Sequence, residues 1–97
     1  MENDNQIIIP PSFMALYLEP GRQKPSASHA QVLARYELCE DLANMLIASA
    51  SNLVHSLNIS EKQVLERCRV GLTGEDAVVT ETEVDWVLLR LTELLDW

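Results

Sequence analysis

Two cysteines and two histidines are the side chains of this sequence best suited to hold a metal ion or to serve as nucleophile and base. A metal site needs such ligands to converge at about 2 Å from one ion. Cys39 and His55 lie on one predicted helix, about 24 Å apart along its axis, and no C-x-x-C or H-E-x-x-H motif occurs. Cys39 and Cys68 fall at apolar positions of their helices, so we expect two buried small side chains and no metal.

Nucleotide chemistry would need a glycine-rich loop followed by Lys and Ser or Thr, whose backbone N–H groups and amine meet the phosphates. The chain has three glycines and no Gly-Lys pair. Gly71 and Gly74 have G-x-x-G spacing, but they follow a predicted helix, where a cap and a turn are the simpler interpretation. A G-x-S-x-G nucleophile motif is missing as well. The sequence therefore predicts a protein that is not an enzyme and needs no cofactor.

Carboxylates outnumber cations, with fifteen Asp and Glu against seven Lys and Arg and a net charge of −8. Such a balance argues against binding of nucleic acid, whose affinity comes from clustered positive charge, and against an anionic membrane surface. Glu37, Glu40 and Asp41 are expected on a solvated face. The acidic run 75–85 favours the start of a helix through the helix dipole, or alternatively forms a docking surface for a basic partner.

Ninety-seven residues suit one domain. Glu2 and Asp4 stand where an export signal would carry positive charge, and residues 42–60, although free of charge, are too polar for a membrane span. By elimination we expect a cytoplasmic protein that does not interact with membranes. In that compartment the two cysteines are expected to be reduced thiols.

Three helix starts share one pattern, a hydroxyl residue three positions before Gln or Glu. This is the capping box, in which the two side chains satisfy free backbone N–H groups at the helix start. Each box precedes an apolar run of helical period. The boxes begin at Ser28, Ser60 and Thr80, and the helices that they predict cover about 30–57, 61–70 and 81–95.

The first of these helices has an unbroken heptad pattern of apolar residues, typical of a helix that packs along one seam. Ala43 and Ala50 on that seam would let another helix approach closely. A helix of this length extends about 42 Å, whereas a compact monomer of this size has a diameter of about 32 Å. We therefore expect self-association through this helix. The seam comprises Val32, Tyr36, Cys39, Ala43, Leu46, Ala50, Leu53 and Leu57.

Residues 1–27 differ from the rest, since they contain all four prolines. Residues 7–18 hold eight large apolar side chains, more than a free tail should expose. They either close over the helices of their own chain or form an arm that lies across a second subunit or partner. The predicted fold is all-α: a small helical bundle of one long heptad-patterned helix and two shorter ones (residues 28–97), with a Pro-rich N-terminal arm and loop (residues 1–27).

Two strings, IIIPPSFMALYLEPGR at Ile7–Arg22 and ARYELCEDLANML at Ala34–Leu46, give the chain a family resemblance. It resembles a group of short uncharacterised bacterial proteins, some of which carry the label "ATPase with chaperone activity". The resemblance extends along most of the chain. It implies a small nucleotide-dependent or chaperone-like factor, and it brings no catalytic residues with it.

The sequence as a whole favours a non-catalytic protein-interaction module, which is either a helical homodimer or a small accessory subunit of a larger assembly. The partner is then another protein or a second copy. The alternative is the nucleotide-dependent or chaperone-like factor. The residues predicted to form the interface come from the arm and from the heptad seam: Ile7, Ile9, Phe13, Tyr17, Ala43, Leu46, Ala50, Leu53 and Leu57.

Overall fold

A computed structural model of the chain describes residues 8–18 and 27–97, and its regular structure is helical. A short helix α1 continues into a 3₁₀ turn at Ala15–Tyr17, and three longer helices follow. No β-strand forms within the described ranges, so the predicted all-α class is confirmed. The helices are α1 (Pro11–Met14), α2 (His29–Leu57), α3 (Glu61–Leu72) and α4 (Glu81–Leu95).

All three predicted capping boxes are present. The backbone N–H groups of Ser28, Ser60 and Thr80 each donate to the side chain three positions later, at 2.9 Å in every case. Each hydroxyl accepts in return from the backbone N–H of that later residue, at 3.1–3.2 Å. Hydrogen bonds between residues three positions apart therefore determine where the three long helices begin.

Helix α3 ends two residues later than predicted, because Gly71 stays helical instead of capping the helix. The cap is Thr73, whose backbone N–H donates to the carbonyl oxygens of Arg69 and Val70. The Thr73 hydroxyl also donates to the Arg69 carbonyl, at 3.0 Å. The positive φ expected in this turn occurs at Gly74 instead, with φ of 118°, a conformation that glycine adopts without steric cost.

The chain divides into two units, residues 1–37 and 38–97, with the boundary inside α2. In the first unit Phe13 is fully buried, and its ring lies 5.7 Å from that of Tyr17 and 5.6 Å from that of Tyr36. Tyr36 belongs to α2, so at Phe13 the apolar N-terminal segment packs on a helix of its own chain. The predicted division at residue 28 stays a prediction.

The second unit is built around α4, the helix with the most buried side chains. Val84, Val87 and Leu91 are fully buried there, as the helical period predicts. The neighbouring helices contribute small or branched side chains, which allow close packing. These are Cys39, Ala43 and Ala50 from α2, and Val64 and Cys68 from α3.

Among the described residues, no helix is both long and apolar enough to cross a bilayer.

Candidate functional site

A groove lies between α3 and α4 in the second unit. The two helices form an antiparallel pair, because residues 73–80 join them directly and Arg69 near the end of α3 lies against Asp85 near the start of α4. Each helix contributes four residues at positions i, i+3, i+4 and i+7, which share one helical face. They are Lys62, Leu65, Glu66 and Arg69 from α3, and Asp85, Leu88, Leu89 and Thr92 from α4.

The centre of this α3–α4 groove is apolar. Leu88 is buried and Leu65 is half-buried, whereas Leu89 beside them is 59% exposed. The cavity volume is about 280 Å³, which lies below the range of about 300–1,000 Å³ typical of small-molecule pockets. A recess with this apolar centre can receive apolar side chains.

Charges at the rim of the groove are balanced. Lys62 and Arg69 carry two positive charges against the two negative charges of Glu66 and Asp85. Arg69 Nη2 lies 2.8 Å from Asp85 Oδ1, and both side chains are well exposed, so the pair contributes little to stability in water. On a chain of net charge −8, this surface carries no net charge.

An ion-pair network joins α4 to α2 through residues that do not line the groove. Arg90 donates from Nε to Glu40 Oε1 at 2.9 Å and from Nη2 to Glu40 Oε2 at 3.1 Å. A third bond runs from Arg90 Nη1 to Glu93 Oε1 at 3.1 Å. The paired geometry with one carboxylate orients both side chains and connects α4 to α2. Of the three carboxylates expected on a solvated face, Glu37 and Asp41 are exposed, whereas the Glu40 side chain is only 23% exposed and is bonded to Arg90, fifty positions away.

Arg90 also shifts the titration of its partner. The hydrogen bond from Arg90 lowers the pKa of the Glu40 carboxyl, against the opposing effect of partial burial. The same bond raises the pKa of Arg90. Because the folded state lowers this carboxyl pKa, ionised Glu40 stabilises the fold above its unfolded-state pKa, and this contribution is lost as the pH falls through the folded-state pKa.

We therefore expect Glu40→Gln to lower the free energy of unfolding at neutral pH by about 1 kcal/mol. The difference from the native chain should shrink once the pH falls below about 4.5, the ordinary value for this carboxyl. Urea unfolding at a series of pH values measures it. Asp41→Asn, which removes the exposed carboxylate next to it, is the charge control. A pH-independent difference for Glu40→Gln would contradict this role of Arg90.

Two carboxylates of the acidic run 75–85 have bonding partners within the chain. Glu83 is buried, and its carboxylate accepts the Thr80 N–H in the capping box. Asp85 pairs with Arg69. Glu75, Asp76 and Glu81 remain exposed. A docking surface for a basic partner stays a prediction, and it now concerns these three carboxylates.

The residues that could do metal or thiol chemistry are kept apart or buried. Cys39 and Cys68 are both buried, as expected, and they do not form a disulfide. Burial raises the pKa of the Cys68 thiol, which lowers its thiolate fraction and its reactivity. In residues 8–18 and 27–97 no group of three metal-binding side chains comes together.

The predicted interface residues differ in how much surface they keep. Phe13, Ala43 and Ala50 are fully buried within the chain, and Ile9 is nearly so. These four residues expose almost no surface to a second chain in this conformation. Tyr17, Leu46 and Leu53 are half-buried, Leu57 is 46% exposed, and Ile7 lies outside the described residues. An interface at these positions stays a prediction.

Sequence reasoning did not single out the α3–α4 groove. The sequence feature that indicates the groove is Leu89. This apolar residue lies outside the core-facing stripe formed by Val84, Val87, Leu88 and Leu91. A leucine outside the stripe on a helix otherwise polar on that side indicates a second apolar face. The matching i, i+3, i+4, i+7 spacing of Lys62, Leu65, Glu66 and Arg69 was also visible, but the pairing of the two faces required the fold.

Comparison of the chain with protein-family models, with curated proteins and with solved structures finds no match.

Proposed function

We propose that the chain is a non-catalytic, cytoplasmic protein-interaction module, either a homodimer or a small accessory subunit, and that the α3–α4 groove is its docking surface. The observation that carries this proposal is the exposure of Leu89 beside the apolar side chains of Leu65 and Leu88. A helix that exposes a leucine next to an apolar recess gains free energy when a partner covers both.

The form of the groove suggests how a partner would bind. Two antiparallel helices with an apolar centre and charged rims match the mode in which an amphipathic helix lies in a groove. Such a partner would place apolar side chains over Leu65 and Leu89. Its own charges would meet Lys62 and Glu66 at the rim, where they add register and specificity more than affinity.

The alternative is a nucleotide-dependent or chaperone-like factor, which rests on the family resemblance of residues 7–22 and 34–46. None of those residues lines the groove. A calorimetric titration with ATP separates the two functions, since saturable binding would favour the alternative.

Photo-cross-linking in the native cells tests the docking surface. A benzophenone amino acid replaces Leu89 in one variant and Met45 in another. Met45 is the control because it is 70% exposed on α2 and does not line the groove. We expect position 89 to give one discrete adduct and position 45 to give none, because only the groove is covered by a partner.

The adduct mass identifies the type of partner. A mass of about twice 10.9 kDa indicates a second copy, and another single mass indicates a distinct protein. An absence of adducts at position 89, or the same adducts at positions 45 and 89, would contradict the proposal.

A further inference from the structure

We infer that the occupant of the α3–α4 groove is a second copy of this chain, bound about a two-fold axis parallel to the helices, so that α3 of each copy packs on α4 of the other. This inference rests on the proposed function, because it names the partner for the same docking surface.

Charge is the first argument. Two copies of a chain with net charge −8 repel each other through most of their surfaces. The groove is an exception, because Lys62 and Arg69 balance Glu66 and Asp85 within it. A partner with a strong net charge gains nothing from such a neutral face, whereas a second copy can meet it without repulsion.

The second argument is that the surface is self-complementary. A two-fold interface uses the same patch twice, so it must contain both a projecting group and the recess that receives it. Leu89 is the projecting group, being 59% exposed. Leu65 and Leu88 line the recess beside it. One copy therefore carries both halves of the contact.

The two-fold axis then specifies which residues meet. An axis parallel to the helices keeps each residue at its level along the groove and exchanges α3 for α4. Leu65 thereby faces Leu89 of the second copy, since the two leucines already share a level in the antiparallel pair. Arg69 of each copy likewise faces Asp85 of the other. The interface therefore has two equivalent Arg69–Asp85 contacts between copies, in addition to the intrachain pair at 2.8 Å. In the resulting dimer, α3 and α4 of the two copies pack together as a four-helix bundle.

Reversed charges test this geometry. Arg69→Glu sets a carboxylate against Asp85 of an identical copy, and Asp85→Lys sets an ammonium against Arg69. We expect each variant alone to have a mass of 10.9 kDa and the native chain about twice that mass, by light scattering on a size-exclusion column. An equimolar mixture of the two variants should regain the doubled mass, because each reversed charge then faces an opposite one.

Arg67→Glu is the matched control, since it makes the same charge change on α3 outside the groove and should keep the dimer. If either variant fails to fold, Leu89→Glu replaces it and should give a folded monomer. A monomeric mixture, single variants that still dimerise, or a dimer that survives Leu89→Glu would overturn the inference. A monomeric native chain would overturn it too. In that case an adduct of another mass at position 89 still supports the proposed function, and no adduct contradicts both.

Discussion

Replacing Phe13 with alanine is expected to lower the free energy of unfolding by about 3–5 kcal/mol. Phe13 is fully buried, and its ring contacts those of Tyr17 and Tyr36. Truncation removes a large apolar side chain and two aromatic contacts and leaves a cavity. Urea unfolding followed by circular dichroism, at one fixed protein concentration, measures the loss.

Ile8→Ala is the control for this substitution. Ile8 belongs to the same apolar segment but is 85% exposed, so its truncation should change the free energy of unfolding by no more than about 0.5 kcal/mol. Equal effects at positions 8 and 13 would mean that the segment does not pack on α2 through Phe13. A loss below about 1 kcal/mol for Phe13→Ala would contradict the packing directly.

Leu91→Ala is expected to cost about 2–5 kcal/mol, the range for truncating a buried leucine. Leu91 is fully buried in α4, a helix that packs on α3 and is bonded to α2 through Arg90 and Glu40. The same unfolding experiment measures this effect, and the protein concentration must again be held fixed, because association stabilises the folded state.

Leu89→Ala is the matched control on the same helix, two positions earlier. Leu89 is mostly exposed in a single chain, so its truncation should leave the fold of that chain intact and weaken only self-association. Unfolding of dilute, monomeric protein should therefore distinguish the two leucines. If Leu89→Ala destabilised the monomer as much as Leu91→Ala, Leu89 would be a core residue and the groove would lose its projecting group.

Features set by neighbouring residues could be predicted from the sequence. The three capping boxes place their partners three positions apart, so the starts of α2, α3 and α4 follow from local hydrogen bonding. The buried faces of α3 and α4 follow from helical period. The heptad seam of α2 predicted some of the buried side chains, as at Ala43 and Ala50, whereas Leu57 on the same seam is 46% exposed.

Features that depend on tertiary contacts could not be predicted from the sequence. A heptad seam does not say whether the helix that covers it belongs to the same chain or to another, and here Ala43 and Ala50 are already buried within one chain. The bond between Glu40 and Arg90 joins residues fifty positions apart, with no sequence signal to pair them. The groove likewise exists only once α3 and α4 lie antiparallel, because each helix supplies half of its lining.

The molar mass of the native chain in solution tests the central claim, self-association through the α3–α4 groove, most directly. Light scattering on a size-exclusion column should give about twice 10.9 kDa for the native chain and 10.9 kDa for Leu89→Glu. A native chain of 10.9 kDa, or a doubled mass that Leu89→Glu leaves unchanged, would contradict the claim.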